Sequence, residues 1–83
     1  MYYMYVLQSL KNNSFYVGST KNLKVRFKEH NSGNSIYTNK FRPWNLIYYE
    51  TYLNLKLAMK RESSLKKRSK AWQELCKRLE VKR

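Results

Sequence analysis

The sequence YYMYVLQSLKNNSFYVG, residues 2–18, decides the fold. Residues 2–8 are aromatic and branched, residues 9–14 are polar and favour a turn, and residues 15–18 return to the first pattern. Two such runs joined by a short polar segment are typical of a β-hairpin. Because the first run has little polar alternation, both of its faces are expected to be covered, which predicts a central strand with helices packed on the sheet.

A helix, a loop and a third strand are expected next. Thr20 is the expected N-cap of a helix that runs to about Asn31, and the segment Ser32-Gly33-Asn34 ends it. Residues 35–43 are rich in Asn, Lys and Arg and are expected to form a loop. Residues 44–52 are strand-like, and a third strand makes a small sheet stable where an isolated hairpin would be marginal.

Two more helices are expected after the third strand. Asn54 is the expected cap of a helix running to about Lys67, and Ser69 caps the last helix. The apolar stripe of that last helix contains Trp72, Leu75, Cys76 and Leu79. The predicted fold class is therefore α/β of the α+β type, with a small three-stranded antiparallel sheet flanked by three helices. The order is β-β-α-β-α-α, in a single domain over residues 1–83.

The charge of the chain points to a polyanionic partner. The 83 residues include 18 Lys and Arg against 5 Glu and no Asp, and the formal net charge is +13. This balance favours nucleic acid as the partner. The single cysteine, Cys76, excludes an internal disulfide and fits a reducing, cytoplasmic setting. No apolar run approaches the roughly 18 residues that span a membrane, so no membrane partner is expected.

Polar side chains fall on the apolar faces of two predicted helices. At about 100° per residue, Glu62 lies in the middle of an apolar stripe made of Leu55, Ala58, Met59 and Leu65. A buried ionised carboxylate needs partners, which leaves open a metal ion, an arginine or a hydrogen-bonding network.

The first helix has the same pattern. His30 lies between Leu23 and Phe27 in projection, with Arg26 on the flank, and Lys24, Lys28 and Glu29 point outward. An inward arginine needs a counter-ion, which Glu62 or a substrate phosphate could supply. A histidine on such a face is often a satisfied core residue, and strand tyrosines usually pack.

Together these residues resemble the GIY-YIG nuclease superfamily over nearly the whole chain. Tyr3-Met4-Tyr5 occupies the place of the GIY tripeptide and Tyr16-Val17-Gly18 that of YIG. Arg26 is similar to the family arginine, His30 to its His or Tyr one turn later, and Glu62 to its metal-binding glutamate. The superfamily includes small stand-alone bacterial proteins and the incision domain of nucleotide-excision repair, so DNA repair is an implied setting. Tyr3 and Met4 depart from the glycine and isoleucine of GIY.

The resemblance implies metal-dependent hydrolysis of phosphodiester bonds by a one-metal endonuclease, with DNA the expected substrate and structure-dependent or non-specific cleavage. Glu62 would hold Mg²⁺ or Mn²⁺, because Mg²⁺ needs only one or two carboxylates beside water and phosphate. Arg26 would stabilise charge in the transition state. Tyr5 is expected to help deprotonate the attacking water and Tyr16 to hydrogen-bond to the phosphate or water. His30 would assist the proton transfer or orient Tyr5.

Four basic residues are expected to grip the nucleic-acid backbone without reading its sequence: Lys21, Lys24, Lys40 and Arg42. A separate protein partner could supply substrate specificity, since nothing after the core resembles the extra recognition domain of the larger nucleases. Two alternatives remain open. One is a non-catalytic nucleic-acid-binding module of the same fold. The other is a basic ribosome-associated or structural protein, in which Tyr5, Arg26 and Glu62 would be far apart.

Overall fold

A computed structural model describes residues 1–66 and 69–80 of the chain. The elements are β1 (Tyr2–Ser9), β2 (Phe15–Thr20), α1 (Leu23–Ser32), α2 (Ile36–Asn39), β3 (Trp44–Tyr52), α3 (Leu55–Lys66) and α4 (Lys70–Leu79). The strands form an antiparallel sheet in the order β2-β1-β3. The predicted fold class is therefore confirmed, with β1 in the centre of the sheet.

Each face of β1 buries a different core. Met4 and Val6 point toward α3 and α4, where they meet the buried residues Val17, Leu65, Trp72, Leu75 and Cys76. Tyr5 and Leu7 point to the other face, which α1 covers through Leu23 and Phe27. Alternate residues of a strand point to opposite faces, and here both faces are apolar. Complete burial of residues 4–7 explains why this strand lacks polar alternation.

The first helix begins two residues later than predicted. Asn22, and not Thr20, is the N-cap, and its side-chain oxygen accepts a hydrogen bond from the Val25 amide at 3.2 Å. The Thr20 hydroxyl accepts from the Asn22 amide at 3.1 Å, so it shapes the turn that enters the helix. Gly33 ends α1 in a left-handed conformation with φ of 87°, as the segment Ser32-Gly33-Asn34 predicts.

The predicted loop over residues 35–43 contains the short helix α2. It buries Thr38 completely, and the Thr38 carbonyl accepts a hydrogen bond from Trp44 Nε1 at 2.9 Å. Four residues are too few for a helical period to emerge, which is why composition alone indicated a loop. The segment is anchored at its other end by the Ser9 hydroxyl, which donates to the Phe41 carbonyl at 2.6 Å.

Both caps predicted for the last two helices are confirmed. The Asn54 side chain accepts from the Leu57 amide at 2.9 Å, and the Ser69 hydroxyl accepts from the Trp72 amide. The predicted end of α3 at Lys67 lies outside the described residues. In α4 the predicted stripe faces the core, with Trp72, Leu75 and Cys76 buried and Leu79 packed against them. No helix within residues 1–66 and 69–80 is long and apolar enough to cross a membrane.

The buried face of α3 is narrower than predicted. Ala58 and Leu65 are buried, but Leu55 and Met59 are 41% and 54% exposed. The centre of the face lies between Ala58 and Leu65, and Glu62 is rotated about 50° from that centre, so it lies at the edge of the face and not in its middle. This position leaves the Glu62 side chain 20% exposed, at the margin between core and solvent.

Candidate active site

A buried hydrogen-bonded chain joins Tyr5, His30 and Thr38 on the face of the sheet covered by α1. The Tyr5 hydroxyl lies 2.8 Å from His30 Nε2, and Thr38 Oγ1 lies 2.8 Å from His30 Nδ1. His30 and Thr38 are fully buried and Tyr5 nearly so. The helix α2 therefore contributes to the site, because it brings the Thr38 hydroxyl to the second nitrogen of the His30 imidazole.

Arg26 acts on the Tyr5 phenol, and of the two counter-ions that the sequence left open, a substrate phosphate and Glu62, Glu62 is not its partner in the structure. The guanidinium bonds to Glu29 Oε1 at 3.1 Å, three residues along α1, and not to Glu62. Glu29 was expected to point outward, and its side chain is 41% exposed. An i, i+3 pair on one helix forms without any tertiary contact. Arg26 acts on the Tyr5 phenol in the direction that lowers its pKa. Because a guanidinium only donates, the arrangement consistent with this neighbour has the phenol donating its proton to His30 Nε2.

Tyr16 extends the cluster toward α3. Its ring packs against His30, with centroids 4.8 Å apart, and against Tyr37 at 5.8 Å. The Lys66 ammonium lies 5.9 Å from the Tyr16 centroid. Lys66 in turn pairs with Glu62, so a continuous series of contacts connects the tyrosines to the carboxylate.

Glu62 is held at the edge of the sheet by two groups. Its Oε1 accepts from the Ser19 hydroxyl at 2.5 Å, and its Oε2 pairs with Lys66 Nζ at 2.5 Å. Ser19 points to the face opposite Tyr16 and Gly18, which places the carboxylate beside the outer strand β2. The Lys66 side chain is 50% exposed, so solvent weakens its ion pair with Glu62.

Gly18 is required by the close approach of Tyr5. A Cβ atom at this position would lie 2.5 Å from the Tyr5 hydroxyl oxygen and 2.6 Å from Cζ, with Tyr16 Cε2 at 3.1 Å. Those distances are well inside van der Waals contact, so any other residue would displace Tyr5. The glycine of the second tripeptide thus positions the tyrosine of the first.

Burial controls the protonation states of Tyr5 and His30. Burial raises the pKa of the Tyr5 phenol far above its usual range, with a further upward contribution from Tyr16, while Arg26 acts in the opposite direction. Glu62 acts on Tyr5 in the same upward direction. Burial, followed by the positive charge of Arg26, lowers the pKa of His30 to about 4. At neutral pH the phenol is protonated and the imidazole is neutral.

Comparison with protein families decides how these residues are to be interpreted. A family model described as the GIY-YIG catalytic domain matches residues 1–75, which include every element up to the middle of α4. The chain belongs to the GIY-YIG family. Membership places it in a family of nucleases. The two tripeptides Tyr3-Met4-Tyr5 and Tyr16-Val17-Gly18 lie on the paired strands β1 and β2, where Tyr5 and Gly18 are direct partners.

Small bacterial relatives align with most of the length of this GIY-YIG chain. A UPF0213 protein of Clostridium perfringens is 41% identical over 68 residues, which is 81% of this chain and 72% of the relative. A UPF0213 protein of Syntrophus aciditrophicus is 38% identical over 71 residues, covering 83% and 80% of the two chains. The solution structure of a UPF0213 protein from Bacillus halodurans has a TM-score of 0.57 and 31% identity, and covers 95% of this chain and 85% of that one.

The four basic residues predicted to contact nucleic acid lie in two places. Lys21 and Lys24 line a groove at the start of α1. Lys40 and Arg42 follow α2; the Lys40 carbonyl accepts from Lys11 Nζ at 3.2 Å, and Arg42 packs over Gly33. Positive side chains therefore lie near both ends of α1.

Three contacts of the site were absent from the sequence analysis: Thr38 on His30, Ser19 on Glu62, and Lys66 on Glu62. A lysine four residues after a glutamate is a recognisable helix signal and could have been found. The two hydroxyls could not, because each depends on packing between elements distant in sequence.

We expect the neutral, buried His30 to make stability depend on pH. Its pKa is about 4 in the folded state and about 6.5 when unfolded, so the unfolded state binds the extra proton between these values. The contribution of neutral His30 to the free energy of unfolding is fully present above pH 6.5. It falls as the pH drops, by about 2 kcal/mol between pH 7 and pH 5. Urea unfolding followed by tryptophan fluorescence measures this. The His30→Gln variant should lose most of the dependence in this interval, and an equal slope in both proteins contradicts the assignment.

Proposed function

We propose that this protein is a metal-dependent endonuclease that hydrolyses phosphodiester bonds of DNA in a structure-dependent or non-specific way. The buried Tyr5–His30 pair beside Arg26, connected through Tyr16 and Lys66 to Glu62, carries the proposal. These five residues, Tyr5, Tyr16, Arg26, His30 and Glu62, would be catalytic. DNA repair in the cytoplasm is the setting that fits the family resemblance.

The donor set at Glu62 suits a hydrated divalent cation. Within residues 1–66 and 69–80, no cluster of three or more His, Cys, Asp or Glu side chains could hold a metal. Mg²⁺ accepts a single carboxylate when water and phosphate oxygens complete its shell. Mg²⁺ or Mn²⁺ held by Glu62 would neutralise charge on the scissile phosphate and the leaving oxygen. Ser19 would keep the carboxylate oriented through Oε1.

The Tyr5–His30 pair would act as one base. A water proton passes to the Tyr5 oxygen while the Tyr5 proton passes to His30 Nε2, so no free phenolate has to form against its raised pKa. The water oxygen bonds to phosphorus as the opposite phosphorus–oxygen bond breaks. In this tautomer His30 Nδ1–H donates to Thr38 Oγ1, which stabilises the imidazolium.

Arg26 would stabilise the charge that builds on the non-bridging phosphate oxygens. Its side chain is 36% exposed, and the guanidinium has five N–H donors, one of whose nitrogens, Nη1, bonds to Glu29. The rest are available to a phosphate. Tyr16 would add a hydrogen bond to the phosphate or to the attacking water.

The Gly18→Ala substitution is expected to displace Tyr5 from its position beside His30. The added methyl group pushes Tyr5 away from His30, so kcat falls about 10- to 100-fold and stability by about 1–3 kcal/mol. Cleavage rates and thermal unfolding measure the two effects. Val17→Ala is the control, since it weakens the opposite core without touching Tyr5. If Gly18→Ala loses only as much activity as Val17→Ala, Tyr5 does not need its present position.

A second candidate function is a binding module without turnover. The observation in its favour is the ion pair between Lys66 and Glu62, which opposes metal binding at that carboxylate. A panel of nicked, flapped and branched DNA in Mg²⁺ or Mn²⁺ separates the two candidates. Cleavage of any member supports the nuclease, whereas tight binding with no cleavage across the panel supports the module. A protein partner that adds substrate specificity is part of the proposal in either case.

A further inference from the structure

An open groove lies on the flank of α1 that faces away from Arg26. Its volume is about 620 Å³, and Tyr3, Tyr49, Leu46, Phe27, Lys21 and Lys24 line it. Lys24 and Arg26 are about 160° apart around α1, so the Tyr49 groove and the catalytic cluster share the helix but use different sides of it. This volume falls within the range of about 300–1,000 Å³ typical of small-ligand sites.

Two tyrosines form the floor of the Tyr49 groove. The rings of Tyr3 on β1 and Tyr49 on β3 meet edge to face, with centroids 6.1 Å apart and planes at 67°. Tyr49 is 52% exposed, so about half of the surface of this large aromatic residue is open to solvent. Such a surface is the kind on which nucleobases stack, because every base presents a π face.

The rim of the Tyr49 groove is positively charged. Lys21 and Lys24 line the groove together with Tyr3 and Tyr49, and none of the described residues that line it is acidic. Both lysines are exposed, in a chain of net charge +13. Exposed lysines that flank a stacking surface are the combination used to hold the phosphates and bases of a single strand.

The groove lies next to the candidate catalytic tyrosine. Tyr3 is two residues before Tyr5 on the same face of β1, which separates their Cα atoms by roughly 7 Å. Tyr5 and Tyr49 are cross-strand partners in the register of β1 with β3. A base stacked on Tyr49 would therefore lie close to the candidate catalytic Tyr5.

We propose that the Tyr49 groove binds an unpaired nucleobase close to the phosphate that is cut, so that the protein acts on nucleic acid with a single-stranded segment. A base within a duplex has both faces covered by its neighbours, so only an unpaired base can stack on the tyrosine. The proximity to the cut phosphate rests on the proposed nuclease function, whereas the stacking site itself does not.

Binding of a fluorescent single strand of about 12 nucleotides, and of a duplex of the same sequence, tests the groove by anisotropy without divalent metal. Tyr49→Ala is expected to weaken single-strand binding about 5- to 100-fold, and Tyr49→Phe to leave it within about twofold. Lys24→Gln should reduce the salt slope by about 0.7, and Lys70→Gln on α4 is its matched control. Duplex affinity should be much less affected by Tyr49→Ala.

Equal single-strand affinity of Tyr49→Ala and the parent protein overturns the proposal, as does an equal loss for single strand and duplex. Thermal unfolding of each variant identifies any loss of fold, and Lys24→Gln gives an independent reading from an exposed side chain. If single-strand binding depends on Tyr49 but no DNA is cut, the nuclease proposal fails and the stacking site stands. If DNA is cut and Tyr49→Ala binds the single strand normally, the stacking site fails and the nuclease proposal stands.

Discussion

Replacing Glu62 by glutamine is expected to lower the cleavage rate at least about 10³-fold, because loss of a metal-bound charge removes several kcal/mol of transition-state stabilisation. Glutamine has nearly the same shape and still accepts from Ser19, but its neutral oxygen binds Mg²⁺ weakly. The broken pair with Lys66 is partly exposed, so the loss of stability should stay below about 1 kcal/mol. Single-turnover cleavage of a nicked or flapped substrate measures the effect.

Matched measurements isolate the role of the Glu62 carboxylate. Glu74→Gln makes the same chemical change on an exposed residue of α4 and should leave cleavage unchanged. DNA affinity without metal should stay within about threefold for both variants, since neither removes a basic contact. Binding of Mn²⁺ by the protein, followed by paramagnetic relaxation, should weaken in Glu62→Gln alone. Full activity of Glu62→Gln would show that cleavage does not use this carboxylate.

The elements of the fold were predictable because their signals are local. The aromatic runs of residues 2–8 and 15–18 specify a hairpin, and the polar caps Asn54 and Ser69 start α3 and α4 where predicted. Lack of alternation in β1 correctly indicated its central position. Helical periodicity also placed His30 inward, where the structure buries it completely.

The contacts that organise the site were less predictable because they join distant segments. Thr38 belongs to a four-residue helix with no recognisable period, yet it contacts His30. Glu62 lies at the edge of its helix face because α3 meets the sheet along a narrow line, which the sequence of α3 alone does not determine. Tyr3 and Tyr49 form a groove only through the register of β1 with β3.

The second large effect is expected from Tyr5 and His30, and it has a distinctive form. Tyr5→Phe keeps the ring over Gly18 but removes the hydroxyl, and His30→Gln removes the base that takes up its proton. Each change should lower kcat about 10²- to 10⁴-fold, the usual range for a positioned acid or base. Each also leaves a buried polar group unpaired, at a cost of about 1–3 kcal/mol in stability, so rates are to be compared well below the unfolding temperature.

If the tyrosine and histidine transfer one proton as a single unit, the double variant should be about as slow as the slower single variant, because groups that act together are not additive. Independent roles would instead multiply the two losses, and that outcome would exclude a shared proton path. The pH profile provides a second criterion. Since burial and Arg26 lower the pKa of His30 to about 4, kcat should show no break near the ordinary histidine pKa of about 6.5. A free phenolate base would instead make kcat rise with pH throughout the alkaline range, because burial raises the pKa of Tyr5 so far.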